Sequence, residues 1–126
     1  MRYAIISDIH GNLEALTAAL ETIDQRQAPR IVCLGDVVGY GASPDECVSL
    51  IRGRGIPTIL GNHDAVACGL EEPWGFNQVA LSAVKWTAEQ LSPENTAWLR
   101  ALPMNLEYES FLAVHATPEE SDWDYM

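Results

Sequence analysis

Three short apolar runs organise the first half of the chain, and each of them stops at a polar turn. Residues 3–7 (Tyr-Ala-Ile-Ile-Ser), 30–34 (Arg-Ile-Val-Cys-Leu) and 57–60 (Pro-Thr-Ile-Leu) have the length and character of buried strands. Between the first two, Leu13, Leu16, Ala19, Leu20 and Ile23 recur at helical spacing and predict a helix over 12–26. Between the second and third, Ser43-Pro44-Asp45-Glu46 reads as a helix start: a Ser N-cap, Pro at the first helical position and Glu in the capping-box position. That helix runs through Val48 and Ile51 and ends near Gly53 to Gly55. Strand–helix–strand–helix–strand predicts a parallel sheet with right-handed crossovers, an α/β fold. In such sheets, sites form beyond the carboxyl ends of the strands.

The second half continues with helices. A short helical piece follows Gly61-Asn62-His63-Asp64 and leads to Gly69. Residues 76–91 carry Val79, Ala80, Ala83, Val84, Trp86 and Leu91 and predict an amphipathic helix. Ser92-Pro93-Glu94 opens another helix, with Trp98, Leu99 and Leu102, that stops at Pro103. Leu106 to Glu109 and Phe111 to Val114 read as two strands joined tightly at Ser110, a hairpin. Trp74, Trp86 and Trp98 are read as packing residues. The tail from Glu119 to Met126 is acidic and solvated, with Trp123 and Tyr125 in need of a partner surface. The 126 residues suit a single domain, and a hydrophobic fraction of 48% argues against disorder. No apolar run approaches the ~20 residues of a membrane span, and the N-terminus has no signal-peptide pattern, so the expected location is the cytoplasm.

Charge narrows the partners. A net charge of −11, from 7 basic and 18 acidic residues, repels phosphate backbones and disfavours direct nucleic-acid binding. An acidic protein that handles an anionic substrate needs bound cations to reverse the local sign. Cys33, Cys47 and Cys68 form no C-x-x-C pair and are read as small core residues, not as a disulfide framework or a structural zinc site.

The chemistry collects at the strand ends. The first strand is followed by Asp8-Ile9-His10, the second by Gly35-Asp36, the third by Gly61-Asn62-His63-Asp64, and the late strand by His115. Singly, Asp8, Asp36 and Asn62 are ordinary strand-end turn residues. Together with three histidines they predict a metal site. Asp8 and His10 are two residues apart, so in an extended segment both point the same way and share one ion. A carboxylate such as Asp36 has two oxygens and bridges two cations. Nitrogen and oxygen donors without thiolate favour Mn, Fe, Zn, Ni or Co over Ca or Mg. Asn12 and Gly11 stand at a helix start beside this cluster, as caps or as anion contacts. Gly39-Tyr40-Gly41 is not a dinucleotide loop, because Pro44 stands where the third glycine is needed.

Asp8-x-His10, Gly35-Asp36, Gly61-Asn62-His63-Asp64 and Val114-His115, in this order, resemble the successive motifs of the calcineurin-like metallophosphoesterase superfamily. Asp8-Ile9-His10-Gly11-Asn12 and Gly35-Asp36-Val37-Val38-Gly39-Tyr40-Gly41 are most similar to its small bacterial and archaeal phosphodiesterase-type members. The resemblance implies the N-terminal portion of a four-layer α/β/β/α sandwich, with a mixed sheet and a βαβαβ start. It implies two divalent metal ions: Asp8 and His10 on the first, Asn62 and His115 on the second, Asp36 bridging both. His63 would be the catalytic imidazole near the leaving group. Asp64 would orient it or, on the residues alone, serve as a helix N-terminal charge.

The implied activity is hydrolysis of a small phosphomonoester or phosphodiester, without membrane or nucleic-acid partners; a homo-oligomer is admissible. The chain departs from the family pattern in one respect. The superfamily carries a later Gly-His-x-His motif that completes both metal spheres, whereas His10, His63 and His115 are the histidines of this chain. The expectation is therefore the N-terminal part of a longer enzyme. The alternative is a catalytically impaired metal-binding or protein-interaction module.

Overall fold

The computed structural model describes residues 2–73 and 75–115. The expected contributions of Trp74 and of the acidic tail with Trp123 and Tyr125 lie outside the described residues. Strand β1 (Tyr3–Ile6) leads into helix α1 (Leu13–Gln25), strand β2 (Arg30–Cys33) and helix α2 (Pro44–Gly53). Three helices follow: α3 (Asn62–Ala67), α4 (Gln78–Gln90) and α5 (Pro93–Arg100). The hairpin of β3 (Asn105–Glu107) and β4 (Leu112–Val114) ends the described chain.

β1 and β2 pair in parallel with Tyr3 opposite Arg30 and Ile6 opposite Cys33. β3 and β4 pair antiparallel, so parallel and antiparallel pairing occupy separate two-stranded sheets. The expected third parallel strand shrinks to one bridge, Cys33 to Thr58. The reason lies in its donors. Pro57 has no N–H, although its carbonyl accepts from the Cys33 amide (2.9 Å), and the Gly61 amide, the next on the β2 side after Ile59, is taken by the Asp64 carboxylate (3.0 Å). Only Ile59 N–H remains to bind the Cys33 carbonyl (3.0 Å). The segment is still extended, so it still delivers residues 61–64 beside the ends of β1 and β2.

α1 packs through Leu16 and Leu20, and α2 through Cys47, Val48 and Ile51, against Cys33, Val37, Val38 and Leu99. All three cysteines are buried free thiols. Ser43 caps α2 without a side-chain hydrogen bond, so the capping box expected there is not formed; Pro44 does occupy the first turn. The α4 stripe also differs from the expectation. The buried face is Ala80, Val84, Thr87 and Leu91, while Val79 and Trp86 point outward. Thr87 is tolerated inside because its hydroxyl donates to the Ala83 carbonyl (2.7 Å). α5 is tied to α2 by Asn95, whose side-chain amide donates to Asp45 Oδ1 (2.8 Å) and Ser49 Oγ (2.9 Å) and whose carbonyl accepts from Arg52 (3.0 Å). No helix among the described residues is long and apolar enough to cross a membrane.

Candidate metal centre

The loops after β1 and β2 run on side by side. Asp8 N–H donates to the Gly35 carbonyl (2.9 Å), His10 N–H to Asp36 (2.9 Å) and Gly11 N–H to Val37 (2.8 Å). This register is reached by left-handed backbone at Asp8 (φ 55°), His10 (φ 49°) and Asp36 (φ 54°). Each costs roughly 1–2 kcal/mol for a residue with a Cβ, and Asp and His tolerate the region best. Strain at three neighbouring polar residues is characteristic of functional positions.

The loop before α3 is locked to the β2 loop by Asp64. Its fully buried carboxylate accepts hydrogen bonds from the backbone N–H of Asp36 (2.8 Å), Gly61 (3.0 Å) and Val38 (3.1 Å). Burial, with the Asp36 charge nearby, pushes Asp64 up to about 7, against the pull of those three donors. Gly61 has to be glycine, because a Cβ there would collide with the Asp36 backbone nitrogen and carboxylate.

These contacts centre everything on Asp36, which is only 2% exposed. Its Oδ1 accepts from His63 N–H (2.9 Å). Its Oδ2 lies 3.1 Å from His63 Nδ1, 3.3 Å from His115 Nε2 and 3.7 Å from His10 Nε2. Burial alone would raise the Asp36 carboxyl; the His115 and His63 imidazoles outweigh it and hold it well below the usual carboxylate range. Reciprocally, burial would lower His115, but Asp36 against it raises it to about 9.

Backbone carbonyls set two of the imidazoles. His10 Nδ1 faces the Val38 carbonyl (3.0 Å) and His115 Nδ1 faces the Leu34 carbonyl (2.6 Å). A carbonyl only accepts, so each Nδ1 carries hydrogen and each Nε2 is aimed into the cluster. That is the orientation a metal-ligating histidine needs. His10 Nε2 lies 3.4 Å from Asp8 Oδ1, and His115 Nε2 lies 3.1 Å from Asn62 Oδ1. The buried His63 Nε2 has no hydrogen-bond partner among the described residues.

The structure thus brings Asp8, His10, Asp36, Asn62, His63 and His115 into one cluster. Ligand atoms within 4.8 Å of one another form two overlapping groups, His10–Asp36–His63 and Asp8–Asp36–His115. Asp64 is the exception. It takes its partners from backbone amides and sits under the cluster, so the carboxylate beside the His63 ring is Asp36. The donor set suits divalent metals: a buried carboxylate shared by imidazoles is neutralised by a proton on one of them or by a cation in its place. The orphan His63 Nε2 also waits for a polar partner. A cavity of about 480 Å³ around Tyr3, Arg30 and Pro57 lies at the other end of the strands, away from these groups.

Sequence reasoning missed Tyr40, whose half-exposed ring stands 5.3 Å from His10 and 5.2 Å from His63 between ring centres. A bulky aromatic between two glycines in the loop between β2 and α2 was the available signal.

An uncharacterised protein of Methanocaldococcus jannaschii is 42% identical over 128 residues, which is 98% of this chain and 53% of that protein. The crystal structure of a metallophosphoesterase from Sphaerobacter thermophilus superposes on the whole chain with a TM-score of 0.82 at 41% identity, using 51% of its own length. A putative diadenosine tetraphosphatase aligns over 92% of this chain and 50% of its own, with a TM-score of 0.74 and 25% identity. The chain therefore spans about half the length of these relatives and matches the N-terminal half of a metallophosphoesterase fold. A family model, calcineurin-like phosphoesterase, matches residues 1–123, and the chain belongs to that family.

Proposed function

We propose that the cluster around Asp36 is the binding centre for two divalent cations in a hydrolase acting on small phosphomonoesters or phosphodiesters. The observation that carries this reading is the convergence of His10, His63 and His115 on one oxygen of a buried carboxylate. Asp8 and His10 would hold one cation, Asn62 and His115 the other, with Asp36 shared between them. Divalent cations held there would supply an activated water and neutralise charge building on the phosphoryl oxygens.

The chain's own groups do the rest. Val38 and Leu34 carbonyls keep His10 and His115 turned inward, and Asp64 keeps Asp36 in place through its backbone amide. His63, with Nδ1 against Asp36, would act through Nε2 as proton donor to the departing ester oxygen. Its ring is packed at 4.7 Å between centres from Phe76 and 4.9 Å from His10, which limits its freedom to rotate.

A second reading rests on a specific observation. The chain has three histidines, all in this cluster, and spans about half of its relatives. Incomplete spheres would bind metal without turnover, leaving a metal-binding or interaction module. Hydrolysis of bis-p-nitrophenyl phosphate with added Mn separates the two. Metal-stimulated release supports the enzyme; metal binding without release supports the module.

A further inference from the structure

The left-handed backbone residues other than glycine, among the described residues, are Asp8, His10, Gln27, Asp36 and Tyr40. Gln27 lies just beyond α1, where such a conformation commonly ends a helix. Asp8, His10 and Asp36 carry the metal cluster. Tyr40 (φ 67°) is the remaining one, and a bulky aromatic tolerates this region worst. Its turn is tight: Gly41 N–H is shared between the Gly39 and His10 carbonyls, both at 2.8 Å. A three-residue turn of this hand is rare and strained. Gly39 (φ 99°) makes the approach possible, because a Cβ there would stand 3.0 Å from the His63 ring.

The strain does not serve burial, since Tyr40 is 51% exposed. It serves position. The ring is propped edge-on to His10 (interplanar 78°) and tilted to His63 (50°), both edges of the metal cluster. Beside it opens a cavity of about 440 Å³, with Asp8 and His10 on one side and Asn12, Ser43 and Tyr40 among its other lining residues. Its size is that of a pocket for part of a small molecule.

We infer that Tyr40 is a specificity residue: a fixed platform on which a planar aromatic group, carried on the alcohol side of the phosphate ester, stacks while the phosphate faces the cluster. The inference rests on the phosphoesterase reading for where the phosphate sits. A rigid aromatic ring offers stacking at little cost in conformational freedom. The nearby carboxylates of Asp8 and Glu14 disfavour leaving groups that carry further negative charge.

The test uses the Mn-loaded chain and calorimetric binding of adenosine monophosphate, phenyl phosphate and ribose 5-phosphate. These share a phosphate and differ in the ring, so the first two distinguish a nucleobase from a simple aryl group. At least one ring-bearing ester should bind more tightly than ribose 5-phosphate. Tyr40→Leu should weaken that binding about tenfold, the order of one stacked ring, while ribose 5-phosphate binding stays within twofold. Tyr40→Phe should keep the preference. Tyr40→Gly, which removes the strain, should lose the preference yet unfold at higher urea; a merely structural tyrosine would unfold earlier. No preference for either ring-bearing ester in the unsubstituted chain, or an equal loss for all three ligands in Tyr40→Leu, overturns the inference. Ring-dependent binding without hydrolysis of any ester leaves it standing and defeats the phosphoesterase reading instead.

Discussion

Replacing Asp64 by asparagine tests whether this residue builds the site or works in its chemistry. The side chain keeps its volume, so packing changes little. In the native arrangement Oδ2 accepts from Asp36 and Gly61, and Oδ1 accepts from Val38. Asparagine has one oxygen. Placing it on the side with two donors turns its NH2 toward the Val38 N–H, donor against donor. One buried hydrogen bond is lost and one buried N–H is orphaned, a cost of about 2 kcal/mol. With a urea dependence of about 1.5 kcal/mol/M for a domain of this size, the unfolding midpoint falls by roughly 1.3 M. Because the orphaned donor belongs to the loop that carries Asp36, metal occupancy should fall with stability. Asp64→Ala orphans all three amides and should cost more than Asp64→Asn on both counts. Urea unfolding followed by tryptophan fluorescence, with metal content by mass spectrometry on the same samples, reads both quantities. If Asp64→Asn keeps its midpoint and its metal but loses turnover, Asp64 acts on His63 during catalysis and the structural argument is wrong.

Further outcomes follow from the same contacts. His63→Ala should cut turnover of bis-p-nitrophenyl phosphate by about 10²–10⁴, the range for a lost general acid, while metal content stays near that of the parent chain. Asp36→Ala should lose the metal outright, and equal metal loss in both variants would remove His63 from the acid role. In the metal-free chain, His115 is raised from 6.5 to about 9, so its stabilising contact with Asp36 is fully present below pH 6.5 and is lost as pH rises through about 9. Asp36 is held below 3.8, so its share is present above that value and lost on acidification. Thermal unfolding of the metal-free chain should therefore weaken from pH 6.5 to 9, and Mn should flatten that slope by replacing the proton; a flat metal-free profile contradicts the contact. Burial pushes the Cys33 and Cys47 thiols up to about 12 and raises Cys68 as well. Ellman's reagent at pH 8 should label none of the three in the folded chain and all of them in urea, since the thiolate is the reactive form.

Much of the architecture is local, and local features survive in a linear reading. α1 follows from Leu13, Leu16, Leu20 and Ile23, and the observed Leu13–Gln25 differs from the expectation by one residue at each end. The hairpin is also foreseen, but its strands, Asn105–Glu107 and Leu112–Val114, are shorter than the expected 106–109 and 111–114, with residues 108–111 between them and not Ser110 alone. α4 was harder. Its apolar residues lie on more than one face, and which face is buried depends on the neighbours that reach it. Thr87 goes inside because it can satisfy its own hydroxyl, while the larger Trp86 remains 41% exposed. The third strand is cut short for a similar reason: Pro57 is visible in the sequence, but the capture of Gly61 N–H by the Asp64 carboxylate depends on the first turn of α3.

The candidate site divides along the same line. Residue identity and order marked out the candidate donors, because each follows a short extended segment, and β1 and β2 pair in parallel and open on one edge. Asp8, His10, Asp36, Asn62 and His63 arrive at that edge, and His115 reaches it from the separate hairpin of β3 and β4. Tertiary structure decided how they are used. Asp64 is adjacent to His63 in sequence, yet the first turn of α3 aims its carboxylate at amides 26–28 residues earlier, and Asp36 comes to the imidazole from across the sheet. Tyr40 looked like part of a glycine-rich loop until its strained backbone placed the ring against His10 and His63. Hydrophobic period and strand-end chemistry are properties of consecutive residues. The partner of a buried carboxylate and the position of a propped ring are set by backbone that only folding brings near.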